Sequence, residues 1–233
     1  MFGLYVLLNL ATLWLAATVS GSGGRSLWLA LLVLGWTVGQ FNTLLEGVAF
    51  SVLPWTNAMI QLGVSALVLA VLAALALVLS GKWRSSPAEP ALLNASLPTL
   101  ALSIAAYELL YWTAGTMVWP FVAEFYASRS IPPAIQVFLL QIPRALIFIA
   151  AAWPWLRTGP RSAPTVLGIA YAVLGGIAPL LPDNPYMSAD VRLAHAIETG
   201  SSNFLFGVIT GYLLTRRRHA RAINSPSDEG GVA

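Results

Sequence analysis

Apolar residues fall along the chain in seven blocks, each near the roughly 20 residues that a helix needs to cross a hydrocarbon core. They run Phe2–Ser20, Leu27–Leu53, Asn57–Ser80, Leu97–Val118, Ile131–Leu156, Ala163–Leu181 and Val191–Thr215. Turn and breaker residues separate them: Gly21-Ser22-Gly23-Gly24, Pro54, the polar stretch Gly81 to Pro90, Pro120, Pro132-Pro133, Gly159-Pro160 and Pro182-Asp183-Asn184-Pro185. The second and fifth blocks exceed a straight crossing and predict tilt or bending. The expected fold class is all-α, a polytopic bundle of seven transmembrane helices over residues 1–215, followed by a polar, disordered tail over 216–233.

Composition agrees. The 233 residues are 58% hydrophobic and 9% charged, against roughly 25% charged for a soluble domain. So few charges cannot cover a water-soluble fold, and the lipid bilayer is the expected partner. With no Cys, thiolate chemistry, disulfides and Cys-ligated metals are excluded. Eleven of the 12 basic residues are Arg, in an Ala/Leu-rich background; this usage fits a bacterial cytoplasmic membrane. The net charge of +3 does not call for nucleic acid.

The positions of the charges orient the bundle. The loops after blocks one, three, five and seven hold Arg25; Lys82 and Arg84; Arg157 and Arg161; and Arg216, Arg217, Arg218 and Arg221. The opposite loops hold Arg129, with Arg192 at the edge of the last block, and the acids Glu124, Asp183 and Asp190. The positive-inside rule puts the N-terminus outside and the C-terminus in the cytoplasm. The first block lacks a basic residue before its apolar run, so a retained helix is expected there rather than a cleaved signal. Asn94-Ala95-Ser96 then falls on the cytoplasmic side, and its glycosylation pattern is accidental. Gly35 and Gly39, and Gly207 and Gly211, are spaced for close helix contact inside the monomer.

Chemistry enters with the polar residues inside the blocks. Asn42 and Glu46 are four apart, Glu108 and Tyr111 three, and Gln141 and Arg144 three; Arg192, His195, Glu198 and Ser202 step by three, three and four, with Asn203 next to the last. Each block therefore presents one polar stripe. A charge near mid-membrane costs about 2.5–3.5 kcal/mol, so these stripes are expected to converge on a single outward-facing pocket. Three Glu against Arg144 predict that one carboxyl holds a proton or that His195 is protonated. Glu108, His195 and Glu198 are the candidate acid/base residues. Asn42, Glu46, Tyr111, Gln141, Arg144, Arg192, Ser202 and Asn203 are the candidate ligand-binding residues.

Several chemistries fit poorly. The single Lys, Lys82, lies in a loop, so a retinal Schiff base has no lysine to use. One intramembrane His cannot make a three-His zinc site, and one reversed His-x-x-Glu lacks the paired Glu-x-x-His of a di-iron bundle. A single metal on His195, Glu198 and another Glu stays open, but no metal ligand is assigned and no cofactor is named by the residues. Ser201 or Ser202 with His195 sit on one helix, a poor arrangement for a hydrolase dyad. Three functions remain: acid/base or metal-assisted chemistry on a lipid-like or extracytoplasmic substrate, proton-coupled transport of a small polar solute, and a non-catalytic sensor or assembly subunit.

Overall fold

The computed structural model describes residues 1–127, 129, 131–183 and 185–223, the last seven by backbone alone. The described residues are helical with no strand. They form α1 (Phe2–Val19), α2 (Gly24–Ala49), α3 (Trp55–Leu79), α4 (Leu97–Ala127), α5 (Ala134–Arg157), α6 (Ala163–Leu180) and α7 (Ala189–Ile223). Five of these, α1, α2, α3, α5 and α6, are long and apolar enough to cross a membrane. The other two, α4 and α7, carry Glu108 and Glu124, and Arg192, His195 and Glu198, which lower their hydropathy. Apolar side chains such as Leu67, Val71, Leu109, Met117 and Phe121 stand on the outer surface. Contiguous apolar surface of this kind suits lipid and not water. The chain is a membrane-compatible helical protein.

Two boundaries differ from the sequence expectation. Pro120 does not end α4, which continues to Ala127 and carries the exposed Glu124 with it. A proline removes one donor and crowds the carbonyl four residues back, yet a long helix in apolar surroundings tolerates one where other groups satisfy the freed positions. The last helix does not stop at Thr215 but runs to Ile223. The side chains of Arg217, Arg218, His219 and Arg221, and all of 224–233, lie outside the described residues.

The chain turns are pinned at two ends. At one end, Gly21 N–H donates to Thr158 O (3.1 Å), Gly24 N–H to Lys82 O (2.9 Å), Ala91 N–H to Arg157 O (2.7 Å) and Asn94 N–H to Leu214 O (2.8 Å). These bonds gather Arg25, Lys82, Arg84, Arg157, Arg161 and Arg216 around one face. At the other end, the Asn57 amide donates to the Tyr186 hydroxyl, and Arg192 binds Asp183. Between them lies a packed core of Leu13, Ala16, Leu31, Leu34, Leu69 and Trp155, all fully buried.

Two helices are locally widened. α2 contains a π turn at Thr37–Phe41 and α6 one at Val173–Ile177. Each inserts an extra residue, shifting the face presented by the following turn. The two face each other: a Cβ on Gly39 would lie 3.0 Å from Leu174 O, and one on Gly175 would lie 2.9 Å from Val38 Cγ1. Asn42 follows directly on the first π turn.

Small residues bring α6 and α7 together. A Cβ on Gly207 would sit 2.6 Å from Leu167 O and one on Gly211 2.7 Å from Pro164 Cα. Both glycine pairs singled out in the sequence thus serve contacts inside the monomer, Gly35 against Leu13 and Leu69. Gly207→Ala is expected to lose about 1–3 kcal/mol through overpacking, while Gly63→Ala, with nothing within 4 Å, keeps or gains stability. Thermal melting in detergent checks this; equal melting points for the two would contradict it.

Candidate functional site

The halves of the helices farthest from the basic loops enclose a cavity of about 910 Å³. Every helix contributes to it: Tyr5 from α1, Asn42 and Glu46 from α2, Ser65 from α3, Tyr111 from α4, Arg144 from α5, Gly175 from α6 and Glu198 from α7. Its walls are mainly apolar, and polar side chains gather in two clusters.

The first cluster is built on Arg144, which is 5% exposed. Its Nε donates to Asn42 Oδ1 (3.0 Å), Nη1 to Gln141 Oε1 (2.6 Å) and Nη2 to Glu46 Oε2 (2.7 Å). Gln141 comes one turn before it on the same helix, whereas Asn42 and Glu46 come from the turns just after the π bulge of α2. The rings of Tyr107 and Tyr111 lie 5.9 Å from the guanidinium carbon, within reach of a cation–π attraction.

The second cluster lies on α7 and the last turn of α4. His195 Nδ1 is 2.7 Å from Glu198 Oε2, and His195 Nε2 is 3.3 Å from the Tyr126 hydroxyl. With Glu198 ionised, Nδ1 carries the proton and donates to the carboxylate; Nε2 then accepts from Tyr126. This is a carboxylate–imidazole–hydroxyl chain, the arrangement that turns a hydroxyl into a proton donor or a nucleophile. Glu46 and Glu198 both lie near enough to act electrostatically on Tyr126, so this residue stands between the two clusters.

An aromatic layer closes the cavity below. Tyr107 and Phe148 line it, and behind them Tyr171 and Phe206 are fully buried. Ring centroids are 4.8 Å apart for Tyr107 and Phe206 and 4.7 Å for Phe148 and Tyr171, the spacing of packed aromatic pairs. The Tyr171 hydroxyl donates to Phe148 O at 2.5 Å.

Not every candidate from the sequence reaches this cavity. Asn42, Glu46, Tyr111, Arg144, His195, Glu198, Ser202 and Asn203 line it. Gln141 stands behind Arg144, fully buried. Ser202 is tied to its own helix, donating to Glu198 O at 2.8 Å. Glu108 does not line the cavity: Trp112 Nε1 donates to its Oε2 at 3.2 Å, and Oε1 is buried without a partner. The expectation that three Glu share one pocket with Arg144 therefore holds for Glu46 and Glu198 and not for Glu108, which α4 turns to another side. Arg192 is also outside it, held by Asp183 Oδ1 (2.5 Å) and Met187 O (3.0 Å).

Tyr126 was missed because reading Pro120 as a helix end put it in a loop. Tyr107, Tyr111, Gly115, Val118, Val122 and Tyr126 all line the cavity, at intervals of four, four, three, four and four. That helical rhythm passes through Pro120 unbroken and is the signal that would have found it. Among the described residues, no three His, Asp or Glu side chains form a group that could hold a metal ion. Compared with family models, curated proteins and solved structures, the chain matches none.

Proposed function

We propose that the chain crosses the membrane seven times with its basic loops in the cytoplasm, and that the cavity is an outward-opening site for acid/base chemistry on an amphiphilic, lipid-like substrate. The basic face gathered by the turn contacts supports the orientation through the positive-inside rule. α4 and α7 cross despite their charges because Glu108 is buried beside Trp112, His195 and Glu198 pair at the cavity wall and Arg192 is matched by Asp183, while Glu124 falls near the end of α4.

The observation that carries the chemistry is His195 held between Glu198 and the Tyr126 hydroxyl at the wall of an apolar cavity. Glu198 fixes the tautomer, His195 takes the proton through Nε2, and Tyr126 or a substrate hydroxyl in its place delivers it. The 3.3 Å separation suits a resting site, in which such bonds commonly tighten once substrate binds. Arg144 is committed to three neighbours and acts as the rigid base of the site. The aromatic layer and the packed core beneath it favour a one-ended site over a path to both faces, as a transporter requires.

Two experiments test this reading. In intact spheroplasts, Ser202→Cys is expected to react with a membrane-impermeant thiol reagent more than about tenfold faster than Thr210→Cys, a position fully buried below the cavity, since the latter must wait for an opening of at least about 1.4 kcal/mol. Labelling of Ser202→Cys only after lysis would overturn the orientation. For the chemistry, the purified protein in nanodiscs made from a bacterial total lipid extract is followed by mass spectrometry. Wild type should convert a lipid class, and His195→Ala, melting near wild type, should slow that conversion by about 10²–10⁴-fold. Unchanged lipids with wild type, or unaffected turnover in His195→Ala, would contradict the proposal.

A further inference from the structure

Arg144 has donors only, and so it fixes the direction of both amides beside it. Nε meets Asn42 Oδ1 and Nη1 meets Gln141 Oε1, which leaves each amide nitrogen turned away from the guanidinium. Neither Asn42 Nδ2 nor Gln141 Nε2 has a hydrogen-bond partner, although the residues are only 1% and 0% exposed. A buried donor left unpaired is costly, and one in a cavity wall marks an acceptor that belongs there. Of the two, Asn42 lines the cavity. The Tyr107 hydroxyl stands within hydrogen-bonding reach of the Asn42 side chain, and Tyr107 lines the cavity as well; an amide nitrogen carries two N–H groups, so Asn42 keeps a donor to offer even where one turns to Tyr107. An N–H and an O–H donor thus share one patch of wall.

Charge selects the kind of acceptor. Arg144 is already 2.7 Å from Glu46, and His195 2.7 Å from Glu198. An anionic head group would meet two carboxylates while the Arg144 guanidinium was already engaged by one of them, so a neutral oxygen fits better. Toward the mouth, Phe2, Ile60 and Val64 line the cavity and are also exposed on the outer surface, a continuous apolar track suited to a hydrocarbon chain.

We propose that Asn42 Nδ2 and the Tyr107 hydroxyl bind the neutral carbonyl oxygen at the head–tail junction of an acyl lipid, with the chain running to the mouth. This rests on reading the cavity as a lipid site, and it adds the group that is recognised: an ester or amide carbonyl.

The test pairs two probes, monoolein and 1-O-oleylglycerol, which share head and tail while the ether lacks the carbonyl. Binding to the full chain is measured by native mass spectrometry. Wild type should hold the ester about tenfold more tightly than the ether, the weight of one well-placed hydrogen bond. Asn42→Asp keeps the oxygen that receives Arg144 Nε but removes the N–H donors, and should cut the ester preference by about threefold or more. Tyr107→Phe should reduce the preference by about threefold or more, and it carries the test should Asn42→Asp fail to fold. Equal affinities in wild type, or a preference that survives both substitutions, would overturn the carbonyl site. His195→Ala should keep the ester preference. Loss of turnover with that preference intact would therefore leave the carbonyl site standing, whereas turnover without any ester preference would sink the carbonyl site and spare the acid/base reading.

Discussion

A guanidinium buried among apolar helices is the constraint around which the polar end of this bundle is organised. Arg144 cannot shed its charge and cannot be left unpaired away from water; breaking a buried pair costs about 3–5 kcal/mol. Its three nitrogens are met by Asn42, Gln141 and Glu46, which ties α5 to the C-terminal part of α2. The π turn at Thr37–Phe41 shifts the turn that follows it, the one that begins with Asn42. Its twin in α6 packs against it, so the widened stretch of each helix supports the other. From this anchor the cavity wall continues through Tyr107 and Tyr111 of α4 to Tyr126, and from there to His195 and Glu198 of α7.

The same chain of contacts separates two halves with different physics. On the basic side, the interior is filled by leucine, alanine and Trp155, and the loops are stitched together by backbone hydrogen bonds. On the other side the helices diverge around open space, and polar atoms find partners across it. The aromatic layer of Tyr107, Phe148, Tyr171 and Phe206 is the boundary. A rigid floor and a polar wall supply fixed groups at the closed end of a cavity whose mouth is apolar. That is what positioning the head of an amphiphile requires.

Much of this was legible in the residues. Apolar block lengths and breakers located every helix, because the bilayer dictates length so strongly. That the stripes of Asn42 and Glu46 and of Gln141 and Arg144 gather at one cavity followed from the cost of leaving charges in lipid, while the partners of Arg144 were not legible; the i, i+3 spacing of His195 and Glu198 already put those two within reach of each other. What the letters hid has three physical causes. A proline was read as a helix end where a long apolar helix carries it through, which concealed Tyr126. Period alone places Glu108 on the stripe of Tyr111, but a side chain three residues away diverges by about 60° around the helix axis, enough to turn Glu108 to Trp112 and away from the cavity. The π turns have no residue signature, so the shift they impart to Asn42 could not be counted from spacing.

Arg144 and Glu46 act as one unit that holds the cavity's base. A double-mutant cycle on the unfolding free energy in bicelles, with Arg144→Met, Glu46→Gln and the two combined, measures that coupling directly. Each single change should destabilise the protein, and the double variant should fall short of their sum by about 1–3 kcal/mol. Strict additivity would show that the two residues do not support each other and that the cavity is not built on their pairing.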